Sequence, residues 1–179
     1  FIFSLNGKNT AFARFSQNGN PKTALYSDTL EAVHYGIHLT DISLTDKTIK
    51  GYTEVQLISR VEQLSTITLE LSSLHIDSVF ITAKKTLAFD HSADKITISL
   101  QEALVKGDTT EVTIYYHGHP FVDASGWGGF HFSGDYALNL GVGFATVPHN
   151  LGKAWFPCID DFRDRALYDV YLTVTNDKK

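Results

Sequence analysis

The stretch Gly152–Thr175, GKAWFPCIDDFRDRALYDVYLTVT, decides the fold of this 179-residue chain, because three local patterns follow one another within it. A loop comes first, with an aromatic pair, a proline and the only cysteine of the chain: Trp155, Phe156, Pro157 and Cys158. An acidic turn follows, with three aspartates: Asp160, Asp161 and Asp164. Apolar and polar residues then alternate from Tyr168 to Thr175, which is the period-2 pattern of a half-buried strand. The stretch therefore predicts a loop and an acidic turn that lead into a strand.

The chain upstream predicts the sheets that this strand joins. Two alternating runs, 35–40 and 49–57, are separated by turn residues and indicate a β-hairpin. Further short runs follow at regular spacing up to Tyr116, and one slips phase at Ser78, which indicates a β-bulge. This pattern predicts an all-β fold, an antiparallel β-sandwich or saddle-like curved sheets of short strands. Residues 1–33 lack the pattern, so we expect an irregular N-terminal lead-in there.

Glycines interleave with aromatic residues between Gly118 and Phe144. Glycine allows the backbone to bend or approach closely, and aromatic rings supply contact area. Two short strands, 129–132 and 136–140, are expected to pair across the turn at 133–135. This region either forms a surface for another domain or ligand, or is an aromatic-lined turn of the core.

Composition excludes several function classes. The net charge is −5, and a mildly acidic surface argues against nucleic acid or an anionic membrane as the main partner. No apolar run approaches the roughly 20 residues of a transmembrane helix. The chain begins with Phe1 and contains no methionine, so we expect a processed or trimmed piece, and this start favours an exported or cell-envelope location.

The histidines do not predict a metal site. His117 and His119 are two apart on a strand and could present two imidazoles on one face, but a third ligand is needed and none is evident. We expect them to face solvent at a strand end. His34 and His38 lie opposite the apolar face of their strand, so exposure is expected for them as well.

The acidic turn and the cysteine have structural explanations. The spacing of a calcium-binding loop is absent, and Arg163 and Arg165 would supply guanidinium partners for the aspartates. Cys158 follows a proline in an aromatic setting, which favours a buried, inert thiol. The sequence has no HExxH, GxSxG, Walker A, dinucleotide-binding or CxxC pattern. The residues alone therefore indicate a β module that binds, shapes or supports, with no catalytic residue and no metal ligand.

The opening stretch resembles the N-terminal domain of the M1 family of zinc aminopeptidases. The family pattern there is close to F-P-C-x-D-x-P-x-x-K-A-x-F, and the matching positions are Phe156, Pro157, Cys158, Asp160, Arg165 (in place of lysine), Ala166 and Tyr168. Trp155 directly precedes the match. Upstream, the family's first hairpin, a later strand pair and its G-F-Y-x-S element resemble 35–39 with 49–55, 69–79 and 129–133.

The resemblance implies a domain organisation. Residues 34–179 would form a saddle-shaped antiparallel β domain, truncated near its C-terminal end, that packs on a thermolysin-like catalytic domain absent from this chain. That domain, the intramolecular partner, would hold zinc through HExxH, whereas this piece would hold no cofactor. The N-terminal domain of the family closes one side of the cleft in which the peptide substrate binds.

The chain departs from the family at the residue that contacts the substrate amine. The family places a Gln or Glu ten to twelve residues before the F-P-C cysteine, where this chain has Thr146 and Pro148. Neither supplies a carboxylate, so we expect a different substrate preference or another residue in the role. The substrate-cleft candidates are Thr146, His149 and Asn150.

Two alternatives to a peptidase domain remain open. One is a sandwich-type binding module for sugars or surfaces, which would use Trp127, Tyr136 and Trp155. The other is a scaffold of the same fold without peptidase activity.

Overall fold

Strands make up nearly all the regular structure of the described residues, which confirms the all-β fold class. The computed structural model describes residues 29–82, 85–162 and 164–173, and the backbone alone of 2–4 and 11–15. The strands in chain order are β1 (Ile2–Ser4), β2 (Ala11–Phe15), β3 (Leu30–Ser43), β4 (Thr48–Ser59), β5 (Leu64–Glu70), β6 (His75–Ile81), β7 (Lys85–Thr86), β8 (Phe89–Ser92), β9 (Lys95–Leu104), β10 (Thr109–Gly118), β11 (Gly128–Ser133), β12 (Tyr136–Gly143) and β13 (Leu167–Leu172). A short 3-10 helix, Gly152–Ala154, precedes the aromatic loop.

These strands form three separate sheets. A seven-stranded sheet has the order β2-β13-β3-β4-β10-β6-β7, and two three-stranded sheets have the orders β5-β9-β8 and β1-β12-β11. The buried side chains of all three belong to one hydrophobic cluster, to which β4, β5, β9 and β10 contribute Val55, Leu57, Ile67, Leu69, Ile96, Ile98, Val112 and Ile114. These positions alternate along their strands, as the period-2 pattern requires.

The predicted hairpin of 35–40 and 49–57 is confirmed as β3 and β4. The two strands pair antiparallel, with Tyr35 opposite Val55 and Leu39 opposite Gly51. A Cβ atom on Gly51 would lie 2.1 Å from the carbonyl oxygen of His38, so the close approach of the strands requires glycine there. The predicted hairpin after Gly128 is also confirmed, since β11 and β12 pair with Ser133 opposite Tyr136.

The predicted bulge at Ser78 is confirmed in β6. Tyr115 of β10 pairs with Ser78, but the next residue, Tyr116, pairs with Ile76. One residue of β6, Asp77, is therefore extra at this point, and the phase of the apolar positions slips as the sequence indicates.

The terminal strand of the quoted stretch, β13, departs from the antiparallel pattern. It runs parallel to β3, with Tyr168 opposite Tyr35 and Val170 opposite Ile37, and antiparallel to β2 on its other side. The stretch thus places the C-terminal strand β13 inside the large sheet, between the edge strand β2 and β3.

The structure gives strands in 1–33, where the sequence predicts an irregular lead-in. Strand β1 pairs with β12, β2 pairs with β13, and β3 begins at Leu30, which is buried. The two early strands have three and five residues, too few to show a period-2 pattern by themselves. Their partners lie more than a hundred residues away, so only the folded chain reveals them.

Candidate functional site

The loop of Trp155, Phe156, Pro157 and Cys158 is buried and joins three parts of the fold. Trp155 is 1% exposed, and its ring centroid lies 4.9 Å from that of Phe156 in an edge-to-face arrangement. Phe156 also contacts the ring of Tyr35 on β3, at 5.7 Å between centroids. Tyr35 in turn stacks on Tyr168 of β13 at 5.1 Å. This aromatic cluster fixes the loop against the central strands, which is a structural role.

Backbone hydrogen bonds hold the same loop to β5. The N–H of Glu70 donates to the carbonyl oxygen of Cys158 at 2.8 Å, and the N–H of Cys158 donates back to Glu70 at 3.0 Å. The N–H of Ile159 donates to the hydroxyl oxygen of Tyr35 at 3.0 Å. Burial raises the pKa of the Cys158 thiol well above its usual value, and the nearby carboxylate of Asp160 adds to this effect. The thiol is therefore protonated near neutral pH, as the sequence analysis expects of an inert cysteine.

The acidic turn is built into the fold by hydrogen bonds. Asp160 accepts the N–H of Gly152 at 2.9 Å, while burial raises the pKa of its carboxyl. Burial, followed by the charge of Glu31, also raises the pKa of Asp164 to about 6. Arg165, expected as a guanidinium partner, is exposed. Its main-chain N–H and the hydroxyl of Tyr35 both donate hydrogen bonds to the Asp164 carboxyl. Arg163 lies outside the described residues.

A cavity of about 370 Å³ lies beside this turn. Its lining combines the aromatic rings of Phe156 and Tyr168 with the carboxyl groups of Asp160 and Asp164. The side chain of Asn150 also lines it, but this side chain is only 4% exposed and its amide donates to the carbonyl oxygen of Asp160. Asn150 therefore connects the loop before the 3-10 helix to the acidic turn.

The other two substrate-cleft candidates lie on the loop that follows β12. Thr146 is half-buried and His149 is exposed. The Nδ1 atom of His149 lies 2.9 Å from the carbonyl oxygen of Gly143, so this nitrogen carries the hydrogen and Nε2 is the acceptor of a neutral ring. The structure thus gives Thr146 and His149 surface access but uses Asn150 within the fold.

Asp123 organises this loop, and the sequence analysis did not single it out. The residue is 2% exposed, yet its carboxylate accepts hydrogen bonds from two loops. From its own loop it accepts the N–H and the hydroxyl of Ser125. From the loop after β12 it accepts the N–H of Ala145 at 3.0 Å and both the N–H, at 3.0 Å, and the hydroxyl, at 2.5 Å, of Thr146. These hydrogen bonds, first those of Ser125 and then those of Thr146, hold the pKa of Asp123 well below its usual value.

The spacing of these partners explains why the sequence did not reveal them. Asp123 and Thr146 are 23 residues apart, with β11 and β12 between them. Only the short D-x-S spacing of Asp123 and Ser125 is a local signal, and it indicates a turn rather than a contact with a distant loop.

The three aromatic residues of the sugar-binding alternative do not all lie at the surface. Trp127 is 43% exposed and stacks on Phe144, which is 65% exposed, at 4.3 Å between ring centroids. Tyr136 is 46% exposed, but Trp155 is buried. The three rings expected in that alternative therefore share no common face. The pair of Trp127 and Phe144 is instead an apolar patch beside the loop that Asp123 organises.

The histidines of both pairs lie beside oxygen atoms of residues that are distant in sequence. Nδ1 of His117 lies 2.9 Å from Oδ1 of Asp77, and Nδ1 of His119 lies 3.1 Å from the carbonyl oxygen of Lys47. His34 lies 3.2 Å from Oδ2 of Asp169 and is half-buried rather than exposed. Among residues 29–82, 85–162 and 164–173, no three His, Cys, Asp or Glu side chains form a group that could hold a metal ion.

His38 is also half-buried, which corrects the expectation of an exposed ring. Its imidazole stacks between Tyr52, at 4.3 Å between centroids, and Tyr171, at 4.2 Å. Burial lowers the pKa of His38, and the charge of Glu54, whose Oε2 lies 3.3 Å from Nε2, opposes this shift. Cross-strand aromatic stacking of this kind stabilises the pairing of β4, β3 and β13.

Solved structures of M1 zinc metallopeptidases are similar to this fold. A mutant of the M1 zinc metallopeptidase from Deinococcus radiodurans, bound to a Tyr-Ser-Ala substrate, has 23% identity over 80% of this chain and 32% of its own, with a TM-score of 0.69. A two-domain M1 zinc metallopeptidase mutant bound to L-tryptophan has 22% identity over 82% of this chain and 33% of its own, with a TM-score of 0.70. The chain therefore spans about a third of the length of these structures.

Two other comparisons gave no match. No protein-family model matches the sequence, and no curated protein matches it. Within the described residues, no helix has the length and apolar character needed to cross a membrane.

Proposed function

We propose that the chain is the N-terminal, non-catalytic β domain of an M1-type zinc metallopeptidase. Residues 34–179 form this domain, and the strands in 1–33 complete its sheets. The domain covers one side of the substrate cleft and contributes to recognition of the N-terminus of a peptide. Its partner is the catalytic domain of the same polypeptide, which holds the zinc ion and supplies the aminopeptidase chemistry.

The likeness of this fold to a third of a two-domain M1 zinc metallopeptidase is the observation that carries the proposal. The buried aromatic loop adds support, because the residues of the F-P-C resemblance connect two sheets: Phe156 contacts Tyr35 of β3, and Cys158 bonds the backbone of Glu70 on β5. Among the described residues, no group of three His, Cys, Asp or Glu side chains could hold a metal ion. The proposal assigns the zinc ion to the catalytic domain.

The loop after β12 is the part of this chain that fits a role in the cleft. Thr146 and His149 have surface access there, whereas Asn150 is used within the fold. The thiol of the chain's one cysteine, Cys158, is buried and protonated, so it is not available as a nucleophile. The contribution of the chain is to bind and orient substrate.

The test compares the full-length protein with the 179-residue chain in the hydrolysis of aminoacyl 4-nitroanilides. The full-length protein should release the anilide, and a zinc chelator should stop the release. A full-length variant with the HExxH glutamate changed to glutamine serves as the inactive control. The isolated chain should be inactive at every metal concentration, and chelator-sensitive hydrolysis by the pure chain would contradict the proposal.

A binding or scaffold module without peptidase activity is the second candidate. The exposed pair of Trp127 and Phe144 favours it, because stacked aromatic rings at the surface are common in protein interfaces. Thr146 and Pro148, in place of the Gln or Glu of the family, favour it as well. A full-length sequence that lacks HExxH would support this candidate over the peptidase domain.

A further inference from the structure

Two histidines lie opposite each other on neighbouring strands of the seven-stranded sheet. His75 of β6 pairs directly with His117 of β10, and both are exposed, on the face of the sheet that points away from the core. Their ring centroids lie 5.2 Å apart, with 70° between the ring planes. Directly opposed side chains of antiparallel strands have Cβ atoms about 5 Å apart, so both imidazoles can reach one ion. This cross-strand pair differs from the pair of His117 and His119 in the sequence.

The bulge of β6 places a carboxylate behind one of these rings. Asp77, the extra residue of the bulge, has Oδ1 2.9 Å and Oδ2 3.1 Å from Nδ1 of His117. A carboxylate accepts hydrogen bonds, so Nδ1 carries the hydrogen and Nε2 of the neutral ring has the free lone pair. Histidine ligands of metal ions commonly donate their second ring nitrogen to a carboxylate in this way. Within the described part of the chain, Nε2 of His117 and both nitrogens of His75 have no hydrogen-bond partner.

We propose that His75 and His117 bind one divalent copper ion, with Asp77 as the positioning residue of the His117 ring. Imidazole suits Cu²⁺, which binds most tightly among the divalent first-row metals and takes a tetragonal arrangement of nitrogen and oxygen ligands. At metal–nitrogen distances of about 2 Å, two imidazoles on one ion have ring centroids roughly 5 Å apart, which matches the observed pair. Water completes the coordination.

The number of ligands favours copper over zinc at this pair. A structural zinc site uses four protein ligands and a catalytic one uses three, and the described residues form no group of three here. The oxygen atoms of Asp77 face Nδ1 of His117, so Asp77 supports this ring and is not itself a ligand. Two imidazoles with water are sufficient for Cu²⁺ in tetragonal geometry, whereas they hold zinc only loosely.

The surroundings of the pair allow a cation to enter. His75, His117 and Asp77 are exposed, so an ion reaches the imidazoles without any movement of the strands. Lys50 lies opposite His117 on β4 and is also exposed. Its long side chain can extend the ammonium group into water, and the negative charge of Asp77 offsets the positive charge that remains nearby.

Titration of the 179-residue chain with CuCl₂, followed by electron paramagnetic resonance, tests the copper site. The wild type should bind one copper ion with a spectrum typical of two equatorial nitrogen ligands. His75→Gln and His117→Gln should each weaken binding about tenfold or more and remove one of these nitrogens. His119→Gln is the matched control, since it removes an exposed imidazole two residues from His117 and should change neither the affinity nor the spectrum.

Asp77→Asn tests the positioning role separately. It should weaken copper binding about tenfold but preserve the two-nitrogen spectrum, because the ring loses its carboxylate partner and remains a ligand. Unchanged affinity in Asp77→Asn would overturn the positioning role. Circular dichroism checks the fold of each variant, and the exposure of these side chains makes unfolding unexpected.

The outcomes decide the copper site independently of the proposed function, whose test uses zinc and the full-length protein. Loss of affinity in both His75→Gln and His117→Gln, with retention in His119→Gln, would support the site. Loss in only one of the two variants would overturn the shared site. Unchanged binding in both would show that copper lies elsewhere on the chain, and the absence of stoichiometric binding by the wild type would overturn the proposal outright.

Discussion

Replacing Phe156 by alanine removes a ring that the structure surrounds with three other aromatic rings. Phe156 is 6% exposed, and its ring lies 4.9 Å from Trp155, 5.7 Å from Tyr35 and 6.3 Å from Tyr168. Burial of a phenylalanine takes roughly 150–200 Å² of apolar surface out of water, which is worth about 4 kcal/mol at ~25 cal/mol/Å². Measured costs of Phe→Ala in cores are similar, about 3–5 kcal/mol. We therefore expect the free energy of unfolding to fall by that amount.

Urea denaturation of the 179-residue chain, followed by tryptophan fluorescence, measures this loss. Because Phe162 is 64% exposed on the same segment, Phe162→Ala is the matched control and should change stability by less than about 0.5 kcal/mol. A midpoint shift without a change in the m-value would show that the folded state is the one affected. A loss below about 1 kcal/mol for Phe156→Ala would refute the reasoning that this loop is part of the core.

Three further predictions concern Asp164, Cys158 and Gly51. Burial raises the pKa of Asp164 to about 6, above its unfolded value, so the stability of the wild type should fall as pH rises from about 4 to about 6. Asp164→Asn should reduce this fall, leaving the part that the raised pKa of Asp160 contributes, and should be more stable than the wild type at about pH 8 by roughly 1 kcal/mol after solvent screening is allowed for, in urea titrations at both pH values; an equal or lower stability at about pH 8 would contradict the burial cost. Cys158 should resist a thiol reagent in the native chain at about pH 8 and react fully in urea, because its thiol is buried and protonated; rapid labelling of the native chain would be inconsistent with this. Gly51→Ala should cost roughly 1–3 kcal/mol, measured in the same way, because the new methyl group meets the carbonyl oxygen of His38; a neutral effect would mean that β3 and β4 are not so close.

Local patterns were sufficient for the hairpins, the bulge and the buried loop. The alternation in 35–40 and 49–57 comes from one buried face, so it predicts both strands and their pairing. The phase slip at Ser78 records one extra residue in β6, and that residue is visible in the sequence without any knowledge of the partner strand. The aromatic pair of Trp155 and Phe156 indicates burial because large rings in a loop otherwise expose apolar surface.

Long-range contacts could not be predicted in this way. The parallel pairing of β13 with β3 joins residues more than a hundred positions apart, and no turn signal marks it. The stacking of His38 between Tyr52 and Tyr171 also depends on that pairing, and for this reason the sequence alone predicts an exposed ring. The sequence does not reveal the role of Asp123 for the same physical reason, since its partner Thr146 lies on the far side of a hairpin.

The most direct test of the central claim is the zinc content of the full-length protein and of the 179-residue chain, purified in parallel and analysed by elemental mass spectrometry. If this claim holds, the full-length molecule contains about one tightly bound zinc ion and the chain contains none above background. Stoichiometric zinc in the chain alone, or a full-length protein that binds none, would contradict it.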